Sequence, residues 1–504
     1  MLSKLFTASI KGLDVQIVDV EVDYRRGTNF FAIVGLADKS IQEAKERLPS
    51  AIKNSGFSFV PMQIIINLAP AEVYKSGSSF DLPLAVGYLL ASEQLQINPN
   101  KKLFIGELSL NGDLKPVNAV LPIVAEAKQK GFTEVFLPTD NAKEASLIKD
   151  INIFPVNKLK DIHKHFNGKL IKTYNRDSAP KKKLLDDALD FCNIQGQLVA
   201  KRALEIAAAG AHNCLLNGPP GSGKTLLAKT FKTILPELSE QHSLEVTRIY
   251  SVAGLLNKEN PYINQSPFRQ PHHTISYIGL VGGGSNLKPG EVTLAHNGVL
   301  FLDELPEFNS RSIEVLRQPL EDKVITISRA SGTTKYPANF ILLASMNPCK
   351  CGYKGDPDKE CICSPLQQLQ YKKRISGPIL DRFDLQVWVN KVPIENLTNY
   401  KRSESSNLIL ERVTYAREIQ KERFKNMQFH TNTQMQPKDI NKYVQISNES
   451  TKLLKAANLK FNLTARSYYK ILKVARTIAD LSKKDKVEET DILEALNYRF
   501  NGLP

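Results

Sequence analysis

The 504-residue sequence predicts an α/β protein with a parallel-sheet core, a helical C-terminal part and an N-terminal α+β unit. Three observations carry this. Residues 218–225 read Gly-Pro-Pro-Gly-Ser-Gly-Lys-Thr, placed between an apolar strand and a helix-forming run. Apolar strand segments alternate with helical patterns from about 186 to 395, as in a parallel sheet flanked by helices. Beyond 396 the apolar residues recur at three and four, the period of a helix.

Bulk composition narrows the class. Hydrophobic residues make up 42% and charged residues 24%, which is ordinary for a globular protein. No apolar run reaches the ~20 residues of a membrane-spanning helix, and Met1-Leu2-Ser3-Lys4-Leu5-Phe6 lacks the apolar core of an export signal. A cytoplasmic protein with no membrane association is expected. The 67 Lys and Arg against 52 Asp and Glu give a net charge of +15. That excess favours a polyanionic partner such as DNA or RNA, although a merely basic surface has the same composition.

Residues 1–170 alternate strands with short helices. Ser40 to Leu48 reads as a helix that Pro49 should interrupt or restart. Ile64–Leu68 and Glu134–Leu137 read as buried strands. Residues 171–185 read as a linker, being polar and basic and containing Pro180.

The core spans 186–395. Asn213–Asn217 is a strand that runs into Gly218, Pro219, Pro220, Gly221, Ser222 and Gly223, with a helix from Lys224 and Thr225 onward. Glycines let the backbone wrap phosphates, and amides at the helix start face their charge. Lys224 should reach the β- and γ-phosphates of ATP, and the Thr225 hydroxyl should bind Mg²⁺. Val299–Leu302 is a second apolar strand, followed by Asp303 and Glu304. Asp303 is the expected second Mg²⁺ ligand and Glu304 the residue that activates water. Phe340–Ala344 is a third strand; beyond it, Asn347 could orient water at the γ-phosphate.

Val324–Arg329, Ala330-Ser331-Gly332 and Thr333–Tyr336 read as a hairpin with Arg329 and Lys335 near its tip. Cys349-Lys350-Cys351 and Cys361-Ile362-Cys363 bracket a short loop, and their four thiolates could surround one Zn²⁺. A redox-sensitive or simply reduced cluster is the alternative, because this pairing is tighter than a usual zinc knuckle. Residues 396–504 form the helical lid. Thr464 caps a helix with the stripe Tyr468, Ile471, Leu472, Ala475, Ile478 and Ala479, and Arg412, Arg417, Lys421, Arg423 and Lys425 are candidate phosphate contacts on another helix.

The order of these motifs resembles AAA+ ATPases, and more narrowly the ComM/YifB-type branch of the magnesium-chelatase-like group. The strings carrying the resemblance are Phe268–His273, Leu294–Glu304, Arg374–Pro378 and Leu380–Asp384. It implies an AAA+ parallel-sheet ATPase core with a helical lid. Asn347 would be the sensor-1 residue, Arg382 an arginine finger given to a neighbouring subunit, and Arg466 the sensor-2 arginine. Ile194–Gln197 would approach the adenine, and the Arg329/Lys335 hairpin would grip DNA, single-stranded or branched, in the pore of a homo-oligomer, a hexamer in the family. Lys75–Asp81 and Gly106–Pro116 resemble the Lon protease domain, with Ser79 at the nucleophile position. Leu121 stands where the Lon mechanism needs a lysine, so an inactive domain is implied. A DNA motor for branch migration in recombination or natural transformation is the first reading. A metal-insertion chaperone ATPase and an ATP-dependent protease are the rivals.

Overall fold

A computed structural model describes residues 2–60, 62–175, 189–284, 287–329, 332–392, 403–461 and 463–500. The Arg176–Lys183 part of the expected linker and the hairpin residues Ala330 and Ser331 lie outside the described residues.

The N-terminal sheet contains β1 (Leu2–Lys11), β2 (Asp14–Arg25), β3 (Phe30–Val34), β4 (Gln63–Ala69), β5 (Lys102–Phe104), β8 (Glu134–Pro138) and β9 (Asn152–Val156). A short ribbon, β6 (Glu107–Leu108) with β7 (Leu114–Lys115), sits beside it. The strand order β3-β4-β2-β1-β5-β8-β9 mixes an antiparallel ribbon with parallel edges. Val18, Val20 and Val22 alternate inward from β2, and Ile64, Ile66 and Leu68 do so from β4, onto the nearly all-buried helix Asp81–Ala91.

One sequence expectation fails here. Pro49 does not interrupt its helix, which runs unbroken from Lys39 to Asn54. Leu48, Ala51 and Ile52 are buried on both sides of the proline. Burying Leu48 and Ile52, at roughly 1.5–3 kcal/mol each, offsets the ~3 kcal/mol cost of an internal proline.

The second sheet is parallel throughout. Its strands are β10 (Cys214–Asn217), β11 (Phe268–Arg269), β14 (Val299–Leu302), β17 (Ile341–Met346) and β18 (Leu385–Trp388), in the order β11-β14-β17-β10-β18. All of β10, β14 and β17 is buried, as expected for strands covered on both faces. Two ribbons stand outside the sheet: β12 (Gly282–Gly283) with β13 (Lys288–Pro289), and β15 (Val324–Arg329) with β16 (Gly332–Pro337).

The C-terminal helices pack onto this core. Thr464 caps the helix Ala465–Leu481 by accepting from the Ser467 N–H, and Ile471, Leu472, Ala475, Ile478 and Ala479 are buried. The expected row of phosphate-binding cations is mostly consumed internally. Arg412 pairs with Glu205 and Glu404, the half-buried Arg417 donates to the Ala208 carbonyl, and Arg423 pairs with Asp480. Lys425 lies past the helix end at Arg423 and pairs with Glu422. A helix whose face packs on the core must neutralise its cations there, so they do not remain free for phosphates.

Asp384 ties the helices to the sheet. Its buried carboxylate accepts from the Asn213 N–H at 3.2 Å and from Lys470 Nζ at 2.8 Å, with His212 Nδ1 at 3.4 Å. Burial opposes ionisation, but Lys470 and His212 hold the carboxyl well below its usual range. Asp384→Ala removes the counter-charge of a buried lysine and should destabilise the fold by about 3–5 kcal/mol, read by denaturant unfolding; a loss under about 1 kcal/mol contradicts this role.

Candidate functional site

Three neighbouring strands deliver the site from their carboxyl ends. The register pairs Asn217 with Met346 and Leu302 with Ala344, so the segments after β10, β14 and β17 emerge side by side. After β10 the chain turns through Gly221 (φ +77°) and Gly223 (φ +86°), backbone conformations that side chains disfavour, and enters the helix Lys224–Thr230. The Lys224 ammonium donates to the Gly218 and Pro219 carbonyls at 2.7 and 2.8 Å, and to Asn347 Oδ1 at 3.2 Å. Burial draws it down to about 8, while Asp303 and Glu304 pull the other way.

Thr225 Oγ1 donates to Asp303 Oδ2 at 2.9 Å. A hydroxyl and a carboxylate in contact at a helix start are the oxygen donors that Mg²⁺ takes in phosphate loops. Glu304 follows with φ +54°, an uncommon conformation for glutamate, and its N–H donates to Ser345 Oγ at 3.0 Å. The same Ser345 hydroxyl donates to Asp303 Oδ1. Ser345 thus fixes both acidic residues from the next strand. Sequence reasoning passed over it as a strand-end residue; its signal was a lone hydroxyl closing an apolar run.

Gln197 supports the loop from the other side. Its amide donates to the Ser222 carbonyl at 3.1 Å and to the Asn390 carbonyl at 2.5 Å. A cavity of about 650 Å³ opens there, lined by Gln197, Val199, Trp388, Asn390, Lys391 and Tyr498. Its walls mix aromatic and polar groups, as a base-sized ligand requires.

Arg382 and Arg466 are brought to each other and not to this loop. Their guanidiniums lie 2.5 and 2.7 Å from the same oxygen of Glu321. The Arg382 carbonyl accepts from Asn213 Nδ2, at the amino end of β10. The phosphate loop leaves the carboxyl end, about 13 Å away along a four-residue strand. Partial burial opposes ionisation of Glu321, yet the two arginines hold it below the usual range. Glu321 was invisible in the sequence because only the fold brings it between residues 382 and 466.

The β15–β16 register corrects one placement. Arg329 pairs with Gly332 next to the tip, but Lys335 pairs with Thr326, three pairs further back. Thr326, Ser328, Thr333 and Lys335 are exposed, whereas Ile325, Ile327, Thr334 and Tyr336 face inward. The strand alternation therefore gives the ribbon one hydroxyl-rich face carrying Lys335, while Arg329 falls on the opposite side, exposed beside the tip. The four cysteines do converge: Cys349, Cys351, Cys361 and Cys363 Sγ all lie within 4.8 Å of one another. Cys192 and Cys214 are buried in the core. In the N-terminal domain the buried Leu121 donates its N–H to Glu144 at 2.9 Å. Among the described residues no lysine ammonium is bonded to Ser79, and the buried Lys75 donates to the Pro70 carbonyl instead.

Fold and site together define an ATP-binding protein of the AAA+ class. Residues 190–397 match the family description "Magnesium chelatase, subunit ChlI", 20–141 match "Subunit ChlI of Mg-chelatase", and 403–499 match its C-terminal part. The chain is 41% identical to competence protein ComM of Haemophilus influenzae, over 99% of this chain and 97% of that one. It is 38% identical to YifB of Escherichia coli, over 99% and 97%. A shorter segment is 29% identical to Lon protease 2 of Bacillus subtilis, covering 24% of this chain and 22% of that protease. The chain belongs to the magnesium-chelatase family of AAA+ proteins, on its ComM/YifB branch. No helix among the described residues is long and apolar enough to cross a membrane.

The Lys224 shift gives a pH prediction. The ammonium must be protonated to meet phosphate, so nucleotide binding above pH ~8 requires proton uptake, and affinity should fall up to about tenfold per pH unit there. Calorimetry in buffers of different ionisation enthalpy measures this. Binding at pH 9 whose heat does not change with the buffer's ionisation enthalpy, and so involves no proton uptake, contradicts it.

Proposed function

We propose that the chain is an ATP-hydrolysing, ring-forming motor that acts on DNA, driving branch migration in recombination or natural transformation. The observation that carries this reading is the pairing of Arg382 and Arg466 on Glu321, a strand length from their own phosphate loop. Two arginines held there are placed to serve the nucleotide of an adjacent copy. Hydrolysis then depends on assembly, as a hexameric or similar ring requires.

The chemistry follows from the geometry. Thr225 and Asp303 would hold Mg²⁺, which would neutralise charge on the β- and γ-phosphates. Lys224 lies over the same phosphates, and Asn347, joined to it at 3.2 Å, polarises the attacking water. Glu304 orients that water and takes its proton. The water oxygen bonds to the γ-phosphorus as the bond to the β,γ-bridging oxygen breaks. A neighbour's Arg382 stabilises the charge that develops.

The DNA assignment rests on the +15 charge, on the exposed cations of β15–β16, Lys335 on its hydroxyl-rich face and Arg329 beside the tip, and on the competence protein among its relatives. The N-terminal domain keeps a Lon-like fold without a Ser79–lysine pair, so we read it as a guide or ring support in a cytoplasmic machine. The four cysteine sulfurs lie close enough together that they would hold one structural Zn²⁺.

Lys224→Ala should weaken ATP binding by about 10–100-fold. Glu304→Gln should bind ATP normally but slow hydrolysis by about 10²–10⁴-fold. Wild-type hydrolysis should rise on adding branched DNA, and Arg329→Ala/Lys335→Ala should remove that response while leaving the basal rate. Normal turnover by Glu304→Gln contradicts the catalytic assignment, and indifference of the wild-type rate to DNA contradicts the partner.

A further inference from the structure

The cysteine cluster is not an outlying staple. Cys349 follows Asn347 by two residues, and the loop between the cysteine pairs lies against the nucleotide site. Gly352, at φ +86°, packs on the phosphate loop itself: a Cβ there would sit 2.8 Å from Pro220 Cδ and 4.0 Å from Asn347 Cγ. Gly355 rests on the Trp388 ring, and Asp356 pairs with Lys391 Nζ at 2.6 Å. Trp388 and Lys391 both line the cavity beside Gln197. One short loop thus touches the phosphate loop, stands beside the sensor asparagine and backs the cavity.

The sulfur geometry suits a tetrahedral soft ion. Cys349–Cys351, Cys349–Cys361 and Cys351–Cys361 separations are 3.3, 3.5 and 3.6 Å. A Zn²⁺ bound at about 2.3 Å to four thiolates sets sulfur–sulfur edges of about 3.8 Å, so small outward shifts admit it. The Cys351 N–H points at Cys363 Sγ at 3.3 Å and the Gln368 amide at Cys361 Sγ at 3.7 Å, donors that stabilise thiolates. Gln368 also donates to the Cys363 carbonyl, which ties the second pair to the helix Pro365–Lys373.

We propose that the Cys349/Cys351/Cys361/Cys363 centre is a metal strut of the nucleotide site: Zn²⁺ there fixes the Gly352–Asp356 turn against Pro220 and the cavity, so that metal occupancy sets ATP affinity. This rests on the zinc reading given above and extends it to control of the neighbouring site. Without the ion, four crowded thiols have no common partner and the turn loses the anchor that holds it to Pro220. Nucleotide binding then carries the cost of ordering that turn.

The test uses the full-length protein and separates the two parts. Elemental analysis should find one zinc per chain, and Co²⁺ exchange should give the visible absorption of a tetrahedral thiolate site. Protein without zinc and without that Co²⁺ spectrum overturns the metal reading. A fluorescent ATP analogue should then bind at least about tenfold more weakly after chelation and recover when Zn²⁺ is restored. Gly352→Ala retains all four thiols, so it should keep its zinc yet lose comparable affinity through the clash with Pro220. Unchanged affinity in zinc-loaded Gly352→Ala, or in the wild-type protein after chelation has removed its zinc, overturns the coupling while leaving the metal site intact.

Discussion

A single contact organises the rest of the molecule: the Thr225 hydroxyl on the Asp303 carboxylate, at 2.9 Å. It joins the start of the helix after β10 to the end of β14, two strands that do not pair directly. The strand between them, β17, supplies Ser345, whose hydroxyl holds the other Asp303 oxygen and the Glu304 N–H. The contact exists only because all three strands run parallel and finish in register. A slip of one residue in β17 would turn Ser345 to the opposite face and leave the carboxylate unsupported. The apolar strands are therefore more than core: their length and register fix where the acidic and phosphate-binding groups emerge.

A second node, at the other end of the sheet, underlies the proposed dependence on assembly. Asp384 pins Lys470 and His212 to β10, and so fixes the helix Ala465–Leu481 on which Arg466 sits. That docking brings Arg466 to Glu321 beside Arg382. A carboxylate between two guanidiniums pairs with both at once. It is also exchangeable, since Glu321 is half exposed and a triphosphate carries more charge. In the proposed ring, the two ends of the parallel sheet would carry complementary halves of one reaction site.

Much of this was readable from residues alone. The strand–loop–helix around Gly218–Thr225, the acidic pair after Val299–Leu302 and the capped stripe beginning at Thr464 each carry a local physical signature. Local patterns failed where long-range packing decides. Pro49 is tolerated because Leu48 and Ile52 are buried around it, and Arg412, Arg417 and Arg423 are drawn inward by partners distant in sequence. Glu321 and Ser345 had no motif to announce them. Their importance arises from which side chains the fold places within bonding distance, and a one-dimensional pattern does not hold that information.

The central claim is that each hydrolytic site is shared between two copies of the chain. Mixing Arg382→Ala protein with Glu304→Gln protein tests it most directly, because each is inactive alone by a different defect. A shared site predicts that the mixture regains ATP hydrolysis, where an Arg382→Ala chain with its intact Glu304 meets the intact Arg382 of the other variant. A mixture no more active than the sum of its parts, with assembly of both variants demonstrated, would contradict it.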